Sequence, residues 1–133
     1  MLDEQKTPSK IDLQYTEHKV VFLISDCSTN KDFSFWKLQR VQAENLITRL
    51  RHFEQMNWAQ FSNLPRENGI TQEKPGTKSF EMIHEKNTSA EKITEQYYFH
   101  FRVKQGDLFR VFGYQKKQFF CITHLDRDGS VHH

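Results

Sequence analysis

The chain is short of the residues that cross-link a fold or carry familiar catalytic signatures. Its two cysteines, Cys27 and Cys121, lie far apart and lack CxxC spacing, so ordinary reduced thiols are expected rather than a disulfide framework. No apolar run approaches the roughly 18 residues needed to span a bilayer. The opening MLDEQKTPSK has no apolar core of a secretory signal. A cytoplasmic protein without a membrane segment is the expectation. HExxH, a Cys/His cluster at zinc spacing, a Gly-rich loop after a strand and a G-x-S-x-G elbow are all missing. Neither a metal nor a cofactor is therefore expected. There is no internal repeat and no low-complexity tract.

What is present is aromatic. Only 36% of the 133 residues are hydrophobic, but 12 Phe, 4 Tyr and 2 Trp are among them. Each buried ring removes a large area from water, so an economical core is affordable for one domain over residues 1–133. Residues 1–10 are expected to be frayed or disordered. The net charge of +2 is small, yet residues 97–133 hold 6 Lys/Arg against 3 Asp/Glu, and 4 of the 7 histidines as well. The basic excess therefore falls on the C-terminal segment, and on the stretch 33–65.

The hydrophobic pattern predicts an α+β fold. IDLQY (11–15) and KVVFLIS (19–25) lean to strand and suggest an N-terminal hairpin. From Phe33 to about Met56 neither Gly nor Pro occurs, and Trp36, Ala43, Ile47 and Leu50, with Leu46 and Phe53, repeat at helical spacing. NWAQFSNLP (57–65) reads as a short helix with Asn57 as cap and Pro65 as stop. Residues 66–79 read as a polar loop. FEMIHE (80–85) is ambiguous, and Thr88 with Glu91 has capping-box spacing. Three β runs follow at about 97–104, 108–115 and 118–125. The expected architecture is an antiparallel sheet, made of the N-terminal hairpin plus this three-stranded meander, with a long and a short helix packed on one face.

Alternation within YYFHFRVK (97–104) puts Tyr97, Phe99, Phe101 and Val103 on one side and Tyr98, His100, Arg102 and Lys104 on the other. If Gln105-Gly106-Asp107 is a three-residue loop, Arg102 lies opposite Arg110, His100 opposite Phe112 and Tyr98 opposite Tyr114. Gly106 suits the left-handed position of such a loop. A two-residue loop instead sends the arginines to opposite faces. The third strand is open in the same way. With Lys116-Lys117 as the turn, Thr123 crosses from Arg110 and His124 faces the core; a three-residue turn brings His124 onto the face of Arg110. Two like charges across a ladder repel, an arrangement that makes sense where an anion comes between them. The plainer reading is that the arginines pair with carboxylates such as Glu95, Asp107, Asp126 or Asp128. On that reading the Tyr and His side chains simply pack, and Arg49 and His52 belong to a solvated helix face. The terminal His132–His133 pair carries no assignment.

The run FRVKQGDLFRVFGYQKKQFFCITHLDRDGSVHH resembles the closing meander of the RelE/ParE-type toxins: an arginine strand, a glycine turn, a second arginine strand, a turn and an apolar strand ending near His, Arg or Lys. Arg102, Gly106, Arg110, Tyr114 and His124 stand in that order. Arg110-Val-Phe-Gly113-Tyr114 and Leu125-Asp126-Arg127-Asp128 also resemble the ends of small mobile-element proteins. The toxin resemblance implies metal-independent cleavage of messenger RNA by attack of a 2′-hydroxyl on the neighbouring phosphate. It implies cations from Arg102 and Arg110, an acid/base in His124, and orientation or stacking by Tyr114. His100, Lys104, Arg127 and Arg49 become candidate RNA contacts. A cognate antitoxin, and messenger RNA or the ribosome, become the implied partners. The alternative is a non-catalytic protein- or nucleic-acid-binding module from a phage or mobile element, using the same face.

Overall fold

The computed structural model describes residues 11–73 and 98–129. The segment 1–10, the run 80–85, Thr88 with Glu91, Glu95, Tyr97 and the His132–His133 pair lie outside these. In chain order the elements are β1 (Val21–Leu23), α1 (Arg40–Phe53), α2 (Trp58–Ser62), β2 (Thr71–Glu73), β3 (Tyr98–Arg102), β4 (Arg110–Lys116) and β5 (Phe119–Asp126). The five strands form one sheet in the order β1-β5-β4-β3-β2.

The fold is α+β, but the sheet is mixed rather than antiparallel. β3, β4 and β5 form the expected meander, whereas β1 runs parallel to β5, with Val21 beside Phe119 and Leu23 beside Cys121. The N-terminal hairpin is therefore corrected. Its would-be first strand is wound into a 3-10 turn, Leu13–Tyr15, because the Asp12 side chain accepts a hydrogen bond from the Gln14 N–H. Its second strand is held instead by the helical connection, Val20 N–H donating to the Met56 carbonyl at 3.0 Å.

α1 begins at Arg40, not Phe33, where the Gln42 side chain accepts from the Gln39 N–H at 3.0 Å. Residues 33–37 are bends and a turn, and 38–39 lead into the helix without regular structure. Trp36 is 73% exposed and Ile47 54% exposed, so the buried helix stripe is carried by Leu46 and Phe53. α2 starts as the sequence predicts: Asn57 and Gln60 exchange side-chain-to-backbone hydrogen bonds at 2.8 and 2.9 Å, a reciprocal cap.

Both helices cover one face of the sheet. Leu46, Phe53, Trp58 and Phe61 pack with Phe99, Phe101, Val111, Phe120, Ile122 and Leu125. Phe53 meets Phe101 edge-on at 5.0 Å between centroids, a geometry worth about 0.5–1.5 kcal/mol beyond area burial. The Trp58 indole N–H donates to the Gln118 carbonyl at 2.8 Å, pinning α2 to the β4–β5 turn.

The opposite face, expected to lie open, is covered over much of its area. Phe33, Tyr98, Phe112, Tyr114 and Cys121 form a second apolar cluster there. The connection between β1 and α1 lies against it: Ser28 N–H donates to the Thr123 carbonyl at 2.8 Å, and Leu125 N–H to the Phe33 carbonyl at 2.9 Å.

Candidate functional site

The turn between β3 and β4 decides where the arginines point. Asp107 N–H donates to the Lys104 carbonyl and Val103 N–H to the Phe109 carbonyl, both at 3.0 Å. Gly106 takes φ +86°, a left-handed conformation that costs glycine nothing. Asp107 turns its carboxylate back onto the Leu108 N–H at 2.7 Å, so it stabilises the loop. The three-residue loop makes Arg102 the direct cross-strand partner of Arg110, and His100 that of Phe112.

A second device sets the register of β5. The turn is Lys117-Gln118, with Lys117 at φ 59°. The ladder then slips between Phe112 and Gly113, pairing Phe112 with His124 but Gly113 with Ile122. Thr123 is the extra residue of this bulge. Its hydroxyl donates to the Phe112 carbonyl at 3.2 Å and lies 2.9 Å from His124 Nδ1. Neither simple turn considered from sequence produces this pairing. The bulge swings His124 and Asp126 onto the face that carries Arg110, and sends Leu125 to the helix side.

Arg102, Arg110 and His100 line a cavity of about 140 Å³, together with Phe101 and with Arg66, Glu67, Gly69 and Thr71 from the approach to β2. Thr71 is the cross-strand partner of His100. His100, Phe101 and Arg110 are buried, Arg102 is half-buried, and Arg66 and Glu67 are exposed. The Arg102 side chain forms no ion pair or hydrogen bond with any described residue. Arg110 is 4% exposed, donates from Nη1 to the Leu108 carbonyl at 3.1 Å, and stands opposite Asp126 in the ladder. The row Arg102–Arg110–Asp126 thus carries two cations and one carboxylate. With Arg66 and Glu67 of the lining, three guanidinium groups stand against two carboxylates among these described residues, a surplus of one positive charge. Guanidinium groups in this density suit an oxyanion, which they meet through paired N–H donors.

The other candidates are placed elsewhere. His124 is fully buried, with Phe33 edge-on at 5.8 Å. Phe112 stands between it and His100 in the ladder row, so about 10 Å separates the two histidine positions. The Tyr114 hydroxyl donates to the Asp26 carboxylate. Burial, and then that bond, push its pKa above the usual phenol range. Tyr98 is pushed up as well, by burial and then by the charge of Asp26. Arg49 donates from Nε to the carbonyls of Arg102 and Val103 at 3.2 and 3.0 Å, and its guanidinium lies 5.4 Å from the Phe53 ring centroid. It therefore fastens α1 to the end of β3. It also lines a groove of about 350 Å³ with Lys104 and His52 on the helix side. Arg127 donates to the Lys37 carbonyl at 3.1 Å.

Burial raises the Cys27 thiol to about 11, against a smaller lowering by the Ser28 backbone, and raises Cys121 too. Neither is an activated thiolate at neutral pH. Among the described residues no three His, Cys, Asp or Glu side chains could hold a metal. No helix among them is long and apolar enough to cross a membrane.

Sequence reasoning missed Arg66 and Thr71. TQE has neither the alternation nor the β-branched density that marks a strand, and only its pairing with β3 turns it into the wall of a cavity. Compared with known proteins, the chain matches no family model, no curated protein and no solved structure.

Proposed function

We propose that the chain is an RNA-binding module that grips phosphate in the cavity between the β3–β4 ladder and the approach to β2. The observation that carries this reading is the Arg102–Arg110 pair, adjacent on one face and lining one small recess with His100 and Arg66. Such a pair is repulsive in the free protein and favourable once an oxyanion bridges it. The cytoplasm, where RNA strands are abundant, is the compartment this reading fits.

Cleavage of messenger RNA in the manner of the RelE/ParE-type toxins is the second reading. One observation favours it: an imidazole, that of His100, shares the recess with both arginines. In that case His100 takes the proton-moving role expected of His124, with Arg102 and Arg110 stabilising the phosphorane. A cognate antitoxin covering the recess would belong to the same reading.

Fluorescence anisotropy with a labelled single-stranded RNA, at 50 and 200 mM salt, tests the first reading. Phosphate contacts predict a marked loss of affinity at the higher salt. No binding at either salt overturns it. Incubation of the same RNA without divalent metal separates the second reading: products ending in a 2′,3′-cyclic phosphate, lost in His100→Gln, support cleavage, and intact RNA rejects it.

A further inference from the structure

The recess is small and lined by three guanidinium groups, those of Arg66, Arg102 and Arg110. Its volume of about 140 Å³ is well below the roughly 300–1,000 Å³ of pockets that enclose drug-sized ligands. A phosphoryl group fits within it. Its floor is the buried set His100, Phe101 and Arg110, while its exposed lining residues, Arg66 and Glu67, are neighbours on one turn. Three guanidinium groups around so small a recess match a group with concentrated negative charge better than one with a single charge.

We infer that the Arg102–Arg110 recess recognises a terminal phosphate monoester of an RNA strand, in preference to internal phosphodiesters. The inference rests on the RNA-binding reading above and names the part of the ligand that enters. A monoester carries about −1.5 to −2 at neutral pH and offers three acceptor oxygens, against one charge and two free oxygens on an internal diester. Arg102, Arg110 and Arg66 supply the charge-assisted donors, and the Thr71 hydroxyl and the His100 imidazole lie beside them.

Anisotropy with one RNA sequence in three forms, bearing a 5′-phosphate, a 3′-phosphate or hydroxyls at both ends, tests the inference. A phosphorylated form binding about tenfold tighter than the hydroxyl form, the gain of one charge-assisted contact, supports it and identifies the end. Inorganic phosphate should compete for that increment only. Arg102→Gln and Arg66→Gln, at half-buried and exposed positions, should bring the phosphorylated form down to the affinity of the hydroxyl form, with thermal melts confirming folded variants. Equal affinity of all three forms overturns the inference while leaving RNA binding standing. Discrimination that survives in both variants also overturns it, since the monoester then binds elsewhere. Absence of binding by every form overturns both readings.

Discussion

Arg102 and Arg110 face each other directly across the β3–β4 ladder, one half-buried and the other 4% exposed, and both line the same recess. Like charges directly across a ladder repel, and Asp126 stands on the far side of Arg110. Arg102→Thr, which keeps β propensity and removes one charge, should raise the unfolding free energy by about 0.2–1 kcal/mol. The same variant should reduce the salt dependence of RNA binding by about one phosphate contact. Urea denaturation and a salt titration of affinity check the two halves. A variant that loses stability and keeps the full salt slope contradicts the anion role.

Gly113 is required by close approach rather than by its dihedral angles. A Cβ built there would lie 2.3 Å from the Cys121 carbonyl oxygen and 2.4 Å from Phe120 Cε1. The carbonyl cannot step aside without breaking the β4–β5 ladder. Gly113→Ala should cost about 3 kcal/mol or more, the upper end of overpacking effects. Equilibrium urea unfolding measures it.

Thr123 serves two partners from the bulge, the Phe112 carbonyl and His124 Nδ1. Thr123→Val keeps the shape and removes the hydroxyl, leaving buried polar atoms without that contact. A loss of about 1–3 kcal/mol is expected. Thr123→Ser, which keeps the hydroxyl, should recover most of it. If Val and Ser behave alike, the hydroxyl is not what holds the bulge.

The pH dependence should be one-sided among the thiols and phenols. Burial raises Cys27 to about 11 and pushes Cys121, Tyr98 and Tyr114 upward too. Below the ordinary thiol and phenol values, about 8.5 and 10, these groups are protonated in folded and unfolded chains alike and add no pH dependence. Above them the unfolded chain releases protons that the folded chain retains, so unfolding becomes progressively favoured. The melting temperature should therefore fall as pH climbs from about 9 to 11. Tyr98→Phe should shallow that fall, and an unchanged slope would remove Tyr98 from the explanation. At pH 8, Cys27 should react with iodoacetamide about a hundredfold more slowly than an ordinary thiol, in line with its smaller thiolate fraction.

Arg49 acts as a fastener between layers. Arg49→Ala removes the bonds from α1 to the Arg102 and Val103 carbonyls. It should destabilise by about 1–2 kcal/mol. RNA affinity should change far less than in Arg102→Gln, and a comparable loss would bring the helix-side groove into the binding surface.

The parts of this fold that were legible in the sequence are those written locally. Alternation in YFHFR and VFGY places β3 and β4, and a glycine at the middle of QGD favours the Arg102–Arg110 register, which the pairing of the strands then decides. Asn57 announces the start of α2. The parts that were not legible depend on distant partners. β1 is three residues long, and nothing within Val21–Leu23 distinguishes a hairpin strand from one that pairs in parallel with β5. Trp36 keeps helical spacing with the core residues of α1 yet stands in a turn outside it, since periodicity cannot sense where a helix starts. The face of His124 depended on an extra residue in β5, and no composition rule identifies Thr123 as a bulge. Burial of the second sheet face is likewise a long-range matter, set by Asp26, Ser28 and Phe33 reaching back to Tyr114, Thr123 and Leu125.

The seam between β1 and β5 also bears on synthesis. Val21 leaves the ribosome roughly a hundred residues before its neighbour Phe119, so this pairing waits for the last of the described strands and carries a high loop-closure cost. Until then Leu46, Phe53, Trp58 and Phe61 lack Phe120, Ile122 and Leu125, the part of their β-layer that β5 supplies. A nascent chain paused in that interval displays a sticky helical surface, the kind of species chaperones and proteases compete for.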